Sequence, residues 1–231
     1  MATSGLVLGA NDSGSWIWWD WVGRHGDTLY SAGREHVVLT FWAVAIGLAI
    51  ALPLGVAAWR WRRLLPFVLG LSGAIYTVPS LALFALLVPV TGLGRATAEI
   101  GLVGYTLLIL ARNVVAGLDA VPADVREAAL GLGFTPARLL VQVELPLAVP
   151  AIVAGVRIAT VTTIGLVTVT ALIGQGGFGQ LIYDGLVRDF RTPLVLGTAL
   201  SVALATAADV GLVLVERLLT PWSRSRGRAV P

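Results

Sequence analysis

The chain has 231 residues, of which 57% are hydrophobic and only 13% are charged, with a formal net charge of +3. Because soluble domains carry about 25% charged residues, this composition excludes an ordinary soluble domain and indicates an integral membrane protein. All 16 basic residues are arginine and there is no cysteine, which excludes a lysine-dependent P-loop, thiolate metal sites and a cysteine nucleophile.

Tryptophan is concentrated in the N-terminal segment, residues 1–35. Tryptophan favours the membrane–water interface, and Trp18, Val22 and Leu29 recur at nearly helical spacing. We therefore predict that this segment is extracytoplasmic or lies flat on the outer membrane surface. Residues 1–10 have no basic side chain and only a short apolar run, so they do not resemble a cleavable signal peptide.

Five long apolar segments follow, and each could cross a bilayer core about 30 Å thick, which takes about 20 helical residues. The predicted spans are residues 36–58, 64–90, 97–118, 146–173 and 192–219. The second contains Pro79 and Pro89 and could instead form two shorter helices, so the count is five or six. The predicted fold class is an all-α integral membrane domain over residues 36–219.

Arginines are unevenly distributed over the two sides of these spans. Nine lie at or after the ends of the first, third and fifth spans, and five lie on the other side. Since positive side chains concentrate in the cytoplasm, we predict an outer N-terminus and a cytoplasmic C-terminus with a basic tail, residues 220–231. Trp59, Trp61 and Trp222 at span ends agree with this placement. The sequence pI of about 9.9 is then explained by membrane orientation, and we expect no nucleic-acid partner.

The longest polar stretch between spans is residues 119–146, which we predict to be a cytoplasmic loop. Pro122 can take the first position of a short helix, and Asp124 places a negative charge in its first turn, where the helix dipole favours it. Gly131 and Gly133 suit the end of that helix, because glycine readily adopts positive φ.

A second short helix is predicted after these glycines. Thr135 can cap it, and Pro136 can take its first position. Pro146 either ends that helix or opens the next span. The sequence thus predicts two short helices joined by a glycine turn and projecting into the cytoplasm.

This loop resembles the EAA loop of ATP-binding-cassette (ABC) importer permeases, with the family's spacing. The matching residues are Glu127, Ala128, Ala129, Gly133, Val143, Leu145 and Pro146. A bare EAA tripeptide is weak, but the tripeptide with the spaced glycine and closing Leu-Pro in a cytoplasmic loop is specific. The resemblance implies the fold of a type I ABC importer permease.

The resemblance also implies a mechanism and partners. In that family the first short helix docks in a groove of a separate ABC ATPase dimer, which binds ATP and Mg²⁺, so this chain itself binds no cofactor. Glu127 would offer a carboxylate, Ala128 and Ala129 would allow close approach, and Gly133 would permit the turn. Arg126 is either a further ATPase contact or a solvated charge. Closure of the ATPase would move this helix as a lever and give alternating access.

Two further partners are expected. A chain with five spans has little room to enclose a pathway alone, so a second permease subunit, identical or different, is required. Solute selection would occur largely in an extracytoplasmic solute-binding protein.

Three segments resemble the osmoprotectant branch of these permeases, which carries glycine betaine, choline, carnitine or proline: residues 77–83, 110–113 and 174–179. Val114 stands where that branch usually has threonine. The glycine-rich third segment also resembles the methionine-importer branch. The resemblance covers nearly all of residues 36–219.

Polar side chains inside the spans are candidates for a translocation pathway or, equally, for helix packing. The pathway candidates are Thr77, Pro79, Ser80, Thr160, Thr163 and Thr170. Charges inside spans are costly and indicate function, and Asp209 is predicted to pair with Arg157 or Arg112 near the inner gate, unless these side chains extend to the interface. Three outer carboxylates could meet a binding protein or be solvated: Glu99, Asp184 and Asp189.

The sequence therefore predicts a permease subunit of an ATP-driven importer for a small compatible solute in the bacterial cytoplasmic membrane. A methionine-type or other small-solute importer is the first alternative. A passive stress-gated channel is the second, although it would not need the EAA loop. The chain has neither a G-x-S-x-G nor an H-E-x-x-H motif, so we expect neither an enzyme nor a metal site.

Overall fold

The computed structural model describes residues 17–220. Trp16 and the residues before it lie outside this range, and so do Trp222 and the rest of the arginine-rich tail. The described part of the chain is helical and contains no β-strand. Its elements are α1 (Trp19–Arg24), α2 (Gly26–Arg60), α3 (Leu65–Thr77), α4 (Ser80–Thr91), α5 (Arg95–Asp119), α6 (Ala123–Gly131), α7 (Pro136–Leu139), a π-helical segment (Leu140–Glu144), α8 (Leu145–Val169), a 3-10 turn (Thr170–Ile173), α9 (Phe178–Val187) and α10 (Arg191–Leu219).

Four helical stretches are long and apolar enough to cross a membrane. They are α2, α5, the continuous stretch Pro136–Ile173 and α10, and they correspond to the first, third, fourth and fifth predicted spans. The α2 helix begins at Gly26, ten residues before the predicted start. Residues 26–35 therefore continue the first long helix, and the helix is interrupted at His25, between α1 and α2, and not at residue 36.

The second predicted span is sharply bent. The axes of α3 and α4 meet at 97°, because Val78, which precedes Pro79, takes an extended conformation (φ −65°, ψ 129°) that ends α3. With 13 and 12 residues, these helices are each about 20 Å long, too short to cross about 30 Å of hydrocarbon separately. The pair forms at most one span, and the alternative of six crossings is not supported.

The residues before α2 contact the opposite end of the chain. The backbone N–H of Trp18 donates to Thr192 Oγ1 at 2.9 Å, and the ring of Trp21 packs edge-on against Phe190 at 5.7 Å. Trp21 also joins an apolar cluster with Phe178 of α9. These contacts attach the tryptophan-rich segment to the turn between α9 and α10.

The helix α5 lies at the centre of the fold, with α2 on one side and α8 on the other. Small residues allow this close approach: a Cβ on Gly47 of α2 would lie 1.9 Å from Thr106 Oγ1, and one on Gly155 of α8 would lie 2.5 Å from Asn113 Cβ. The apolar stretch of α5 is 56% buried, whereas that of α10 is only 6% buried. The fold therefore has a closed centre and an open α10 side.

Candidate functional site

The predicted glycine turn after α6 is confirmed at Gly133, whereas Gly131, the other glycine predicted for it, is the last residue of α6 and does not have positive φ. Gly133 has φ +83°, the Phe134 N–H donates to the Ala129 carbonyl at 3.1 Å, and the Gly133 N–H donates to the Leu130 carbonyl at 2.9 Å. These two bonds form a Schellman motif, whose positive φ costs glycine no steric strain. At the other end, Pro122 occupies the N-cap, one position before the predicted one.

The second predicted helix is continuous with the fourth span. Thr135 caps it as predicted, since its side-chain oxygen accepts the Arg138 N–H at 3.4 Å. The helix then passes through the π-helical segment into α8, and Pro146 lies within the first turn of α8. A wide π turn accommodates the missing N–H and the ring of a proline. The prediction of two separate short helices is therefore wrong: α6 is short, and its partner is the end of a 38-residue stretch.

The motif residues of α6 divide between an outer and an inner face. Glu127 and Ala128 are exposed, and the neighbouring Leu130 and Leu132 are 52% and 80% exposed. Ala129 is buried against the chain's own residues. The outer face thus combines one carboxylate with small and apolar side chains, and only one of the two motif alanines is open to a partner.

Arg126, beside Glu127 on α6, is directed inward. Its Nε donates to Glu144 Oε1 at 2.8 Å, and a terminal nitrogen donates to the Leu118 carbonyl. Its guanidinium carbon lies 5.3 Å from the centre of the Trp59 ring. Glu144 is 3% exposed and the Arg126 side chain is 26% exposed, so the pair joins a buried carboxylate to a half-buried guanidinium. The guanidinium contacts the chain itself, although the sequence suggested an ATPase contact or a solvated charge.

Sequence reasoning missed Glu144. One signal in the sequence could have found it: Glu144 is a single carboxylate in an apolar stretch, two residues before Pro146. A charge that is buried in such a stretch requires a partner. A second ion pair lies nearby but is exposed: Arg62 donates to Asp119, which also accepts the Trp59 indole N–H at 3.0 Å. Hydrogen bonding to Asp119 raises the pKa of Arg62.

Asp209 was predicted to pair with Arg157 or Arg112, and it pairs with Arg157. Arg157, midway along α8, donates from Nε and a terminal nitrogen to the two oxygens of Asp209 at 3.0 and 3.2 Å. It also donates to Glu216 at 3.3 Å, a contact that the sequence analysis missed. The side chains of Arg157, Asp209 and Glu216 are 29%, 40% and 29% exposed. Arg112 is exposed and forms no ion pair within residues 17–220.

The hydroxyl candidates lie in different surroundings. Thr163 and Thr170 are buried, and Thr170 donates to the carbonyl of Val167 in its own helix. Thr160 is half-buried and lines an apolar cavity of about 550 Å³ between α2, α8 and α10. Thr77 is exposed at the bend between α3 and α4. The structure does not bring these hydroxyls together on one open surface.

The glycine-rich loop before α9 is bonded to α2. Glu35 accepts the Gly176 N–H at 3.0 Å. His36 accepts the Phe178 N–H through Nδ1 at 3.3 Å, which leaves its Nε2 to donate to the Ile164 carbonyl at 3.0 Å. The sequence analysis assigned no role to Glu35 or His36, which hold this loop against the first long helix.

The three outer carboxylates also differ. Both oxygens of Glu99 are shielded from solvent and accept no hydrogen bond from the described residues, and the nearest cation is Arg95, with Nε at 3.7 Å. Asp184 accepts from Gln180 at 3.1 Å. Asp189 is exposed. Of these three carboxylates, only that of Glu99 has both oxygens shielded from solvent.

The chain is similar to known membrane transport proteins. Residues 43–221 match the family described as binding-protein-dependent transport system inner membrane component. The choline transport system permease protein OpuBB of Bacillus subtilis is 37% identical over 202 residues, which are 87% of this chain and 92% of the relative. The glycine betaine/carnitine/choline transport system permease protein OpuCB of Bacillus subtilis is 36% identical over 85% of this chain and 90% of its own length. An inward-facing structure of the MetNI methionine ABC transporter has a TM-score of 0.76 at 24% identity, over 85% of this chain and 98% of that one.

Proposed function

The chain belongs to the family of binding-protein-dependent transport system inner membrane components, and we propose that it is the permease subunit of an ATP-driven osmoprotectant importer. The proposal depends on the α6 hairpin, which consists of α6, the turn at Gly133 and α7 (residues 123–139). It presents Glu127 and Ala128 outward on a short helix whose end is closed by a Schellman motif. The chain contains no lysine for a P-loop, so a partner ATPase binds ATP and Mg²⁺.

The proposed substrate class is glycine betaine, choline, carnitine or proline. The relatives named above are permeases for choline, glycine betaine and carnitine. Betaines carry both charges, and the α8–α10 face offers both an arginine and two carboxylates. The likeness to the methionine transporter supports the fold alone and does not favour methionine.

The open α8–α10 face supports a second permease subunit as a partner. Half-exposed charges in spanning helices are not stable against lipid, so they face another protein chain or a water-filled pathway. We place the pathway at this face and at the bend between α3 and α4, with the hydroxyls of Thr77, Ser80 and Thr160 as its polar candidates and Pro79 at the bend. Thr163 and Thr170 would join it only after a rearrangement of the helices.

The remaining assignments follow the arginine distribution and the family. The N-terminus lies outside, α6 lies in the cytoplasm, and the bent α3–α4 pair serves as the second of five spans of a permease in the bacterial cytoplasmic membrane. A solute-binding protein delivers the solute from outside. The exposed Asp189 is available to that protein, whereas the Glu99 carboxylate is shielded from it.

Uptake into proteoliposomes tests the proposal. The complex of this chain with its co-purifying ATPase and binding protein should import one of labelled glycine betaine, choline, carnitine or proline when ATP is supplied. Glu127→Ala should assemble but lose uptake, while Gln142→Ala, an exposed change in the same loop, should not. Hydrolysis of ATP without uptake of any of these solutes would reject the substrate class. Flux that ignores ATP would reject the importer.

A further inference from the structure

The guanidinium of Arg126 touches the cytoplasmic ends of three long helices at once. It reaches Trp59 in the last turn of α2, the Leu118 carbonyl in the last turn of α5, and Glu144 at the entrance to α8. Arg126 itself belongs to α6, the helix whose outer face is open to a partner. One side chain thus joins the proposed docking helix to the membrane helices.

Of these three contacts, the ion pair with Glu144 is the one whose loss would cost the most free energy. The Glu144 side chain is 4% exposed, and Arg126 is its ion-pair partner in the described chain. A buried carboxylate that loses its cation is strongly destabilised. Any movement of α6 therefore either carries Glu144 with it or strands a buried charge.

Glu144 also occupies a mechanically particular position. It is the last residue of the π-helical segment, two residues before Pro146. Such segments interrupt the regular ladder of helical hydrogen bonds, and together with proline they mark places where helices bend. A pull on Glu144 is thus applied where the 38-residue stretch deviates from a regular α-helix.

We propose that the Arg126–Glu144 pair transmits the displacement of α6 to α8, so that Arg126 is a positioning residue for coupling and not a contact to the ATPase. The inference rests on the proposed function, because it assigns the mechanical link within that importer. Glu127 and Ala128 meet the partner on the outer face of α6, and Arg126 passes the movement inward to the span that carries Arg157.

The test compares solute uptake with ATP hydrolysis in the reconstituted complex. Arg126→Gln retains a hydrogen-bond donor for Glu144 but removes the charge, and the complex should still assemble and hydrolyse ATP. The solute imported per ATP should fall about fivefold to tenfold, the size expected for a residue within a coupling network. The matched control is Arg62→Gln, which removes the exposed arginine paired with Asp119 at the same membrane side and should leave this ratio unchanged.

A second variant keeps the test decisive if Arg126→Gln fails to fold. R126Q/E144Q removes both charges and strands neither, so it should assemble normally and show the same low ratio. Wild-type coupling in that double variant would overturn the inference, and so would loss of ATPase binding by Arg126→Gln in an otherwise folded chain. Solute flux through the wild-type complex that ignores ATP would overturn the proposed function and the inference together.

Discussion

Helix α8 takes part in two arginine–carboxylate clusters that differ in burial and in charge balance. At its N-terminal entrance, Arg126 pairs one-to-one with Glu144, whose side chain is 4% exposed. Midway along it, Arg157 meets two carboxylates, and all three side chains are about a third exposed. The first cluster is complete within the chain, whereas the second has one excess negative charge and an open side. The same chemistry thus forms a closed contact within the chain in one place and a partly exposed cluster in the other.

The largest expected effect is on the buried cluster. Arg126→Ala should lower the free energy of unfolding by about 3 kcal/mol, because it leaves Glu144 buried without a cation. For a chain of this size that loss corresponds to a melting temperature about 10 °C lower, measurable by thermal unfolding of the purified protein. Arg126→Ala/Glu144→Leu should recover most of it. If the single variant melts like the wild type, the pair is not a closed internal link.

The open cluster should respond in transport more than in stability. Asp209→Asn removes the two-oxygen partner of Arg157 but leaves Glu216 in place, so the melting temperature should change little. Uptake should fall about tenfold, equivalent to about 1.4 kcal/mol. The charge-swapped variant R157D/D209R should regain part of the lost uptake. A swap that rescues neither single variant would show that the pair does not act as a unit.

The excess negative charge gives a smaller, selective effect. Glu216→Gln makes the α8–α10 cluster neutral, which should disfavour a cation relative to a zwitterion. We expect the ratio of choline to glycine betaine uptake to fall about threefold, since one partly exposed charge contributes under about 1 kcal/mol. Competition between the two labelled solutes in one vesicle preparation measures this ratio. Equal loss for both solutes would mean that the charge serves packing alone.

The smallest effect should come from the exposed pair Arg62–Asp119, whose side chains are 55% and 43% exposed. Asp119→Asn should cost under about 1 kcal/mol, and less at high salt, because solvent and ions screen such pairs. Thermal unfolding at low and high salt is the measurement. A loss as large as that of Arg126→Ala would remove the distinction between buried and exposed pairs.

Much of the fold followed from local patterns. Apolar length located four of the spanning helices, and the glycine at 133 and the threonine at 135 marked the turn and cap of the α6 hairpin. At Pro79 the sequence left open whether one span or two helices follow, because a proline ends a helix but does not determine its angle to the next helix. The structure shows that this angle is 97°. The sequence did not predict that α7 continues through the π-helical segment into α8, since a π turn has no reliable residue signature.

The candidate site was predictable to a smaller degree. The partner of Asp209 could be narrowed in advance to Arg157 or Arg112 because charges inside apolar spans need partners, and only the structure selected Arg157. The inward direction of Arg126 could not, since it sits in a polar loop where solvent is an equally good partner. His36 and Glu35 likewise lie more than 100 residues from the loop that they hold.

By itself, the sequence determined that this chain is a helical membrane protein, where its main spans lie, and that one polar loop carries a permease motif. Those properties depend on apolar length, charge deficit and the spacing of neighbouring residues, which are local. Only the tertiary structure decided which motif residues face outward, that Arg126 reaches Glu144, and that the Arg157 cluster stays open on one side. These depend on which helix faces are brought together, because burial and pairing are properties of several helices at once and not of any single segment.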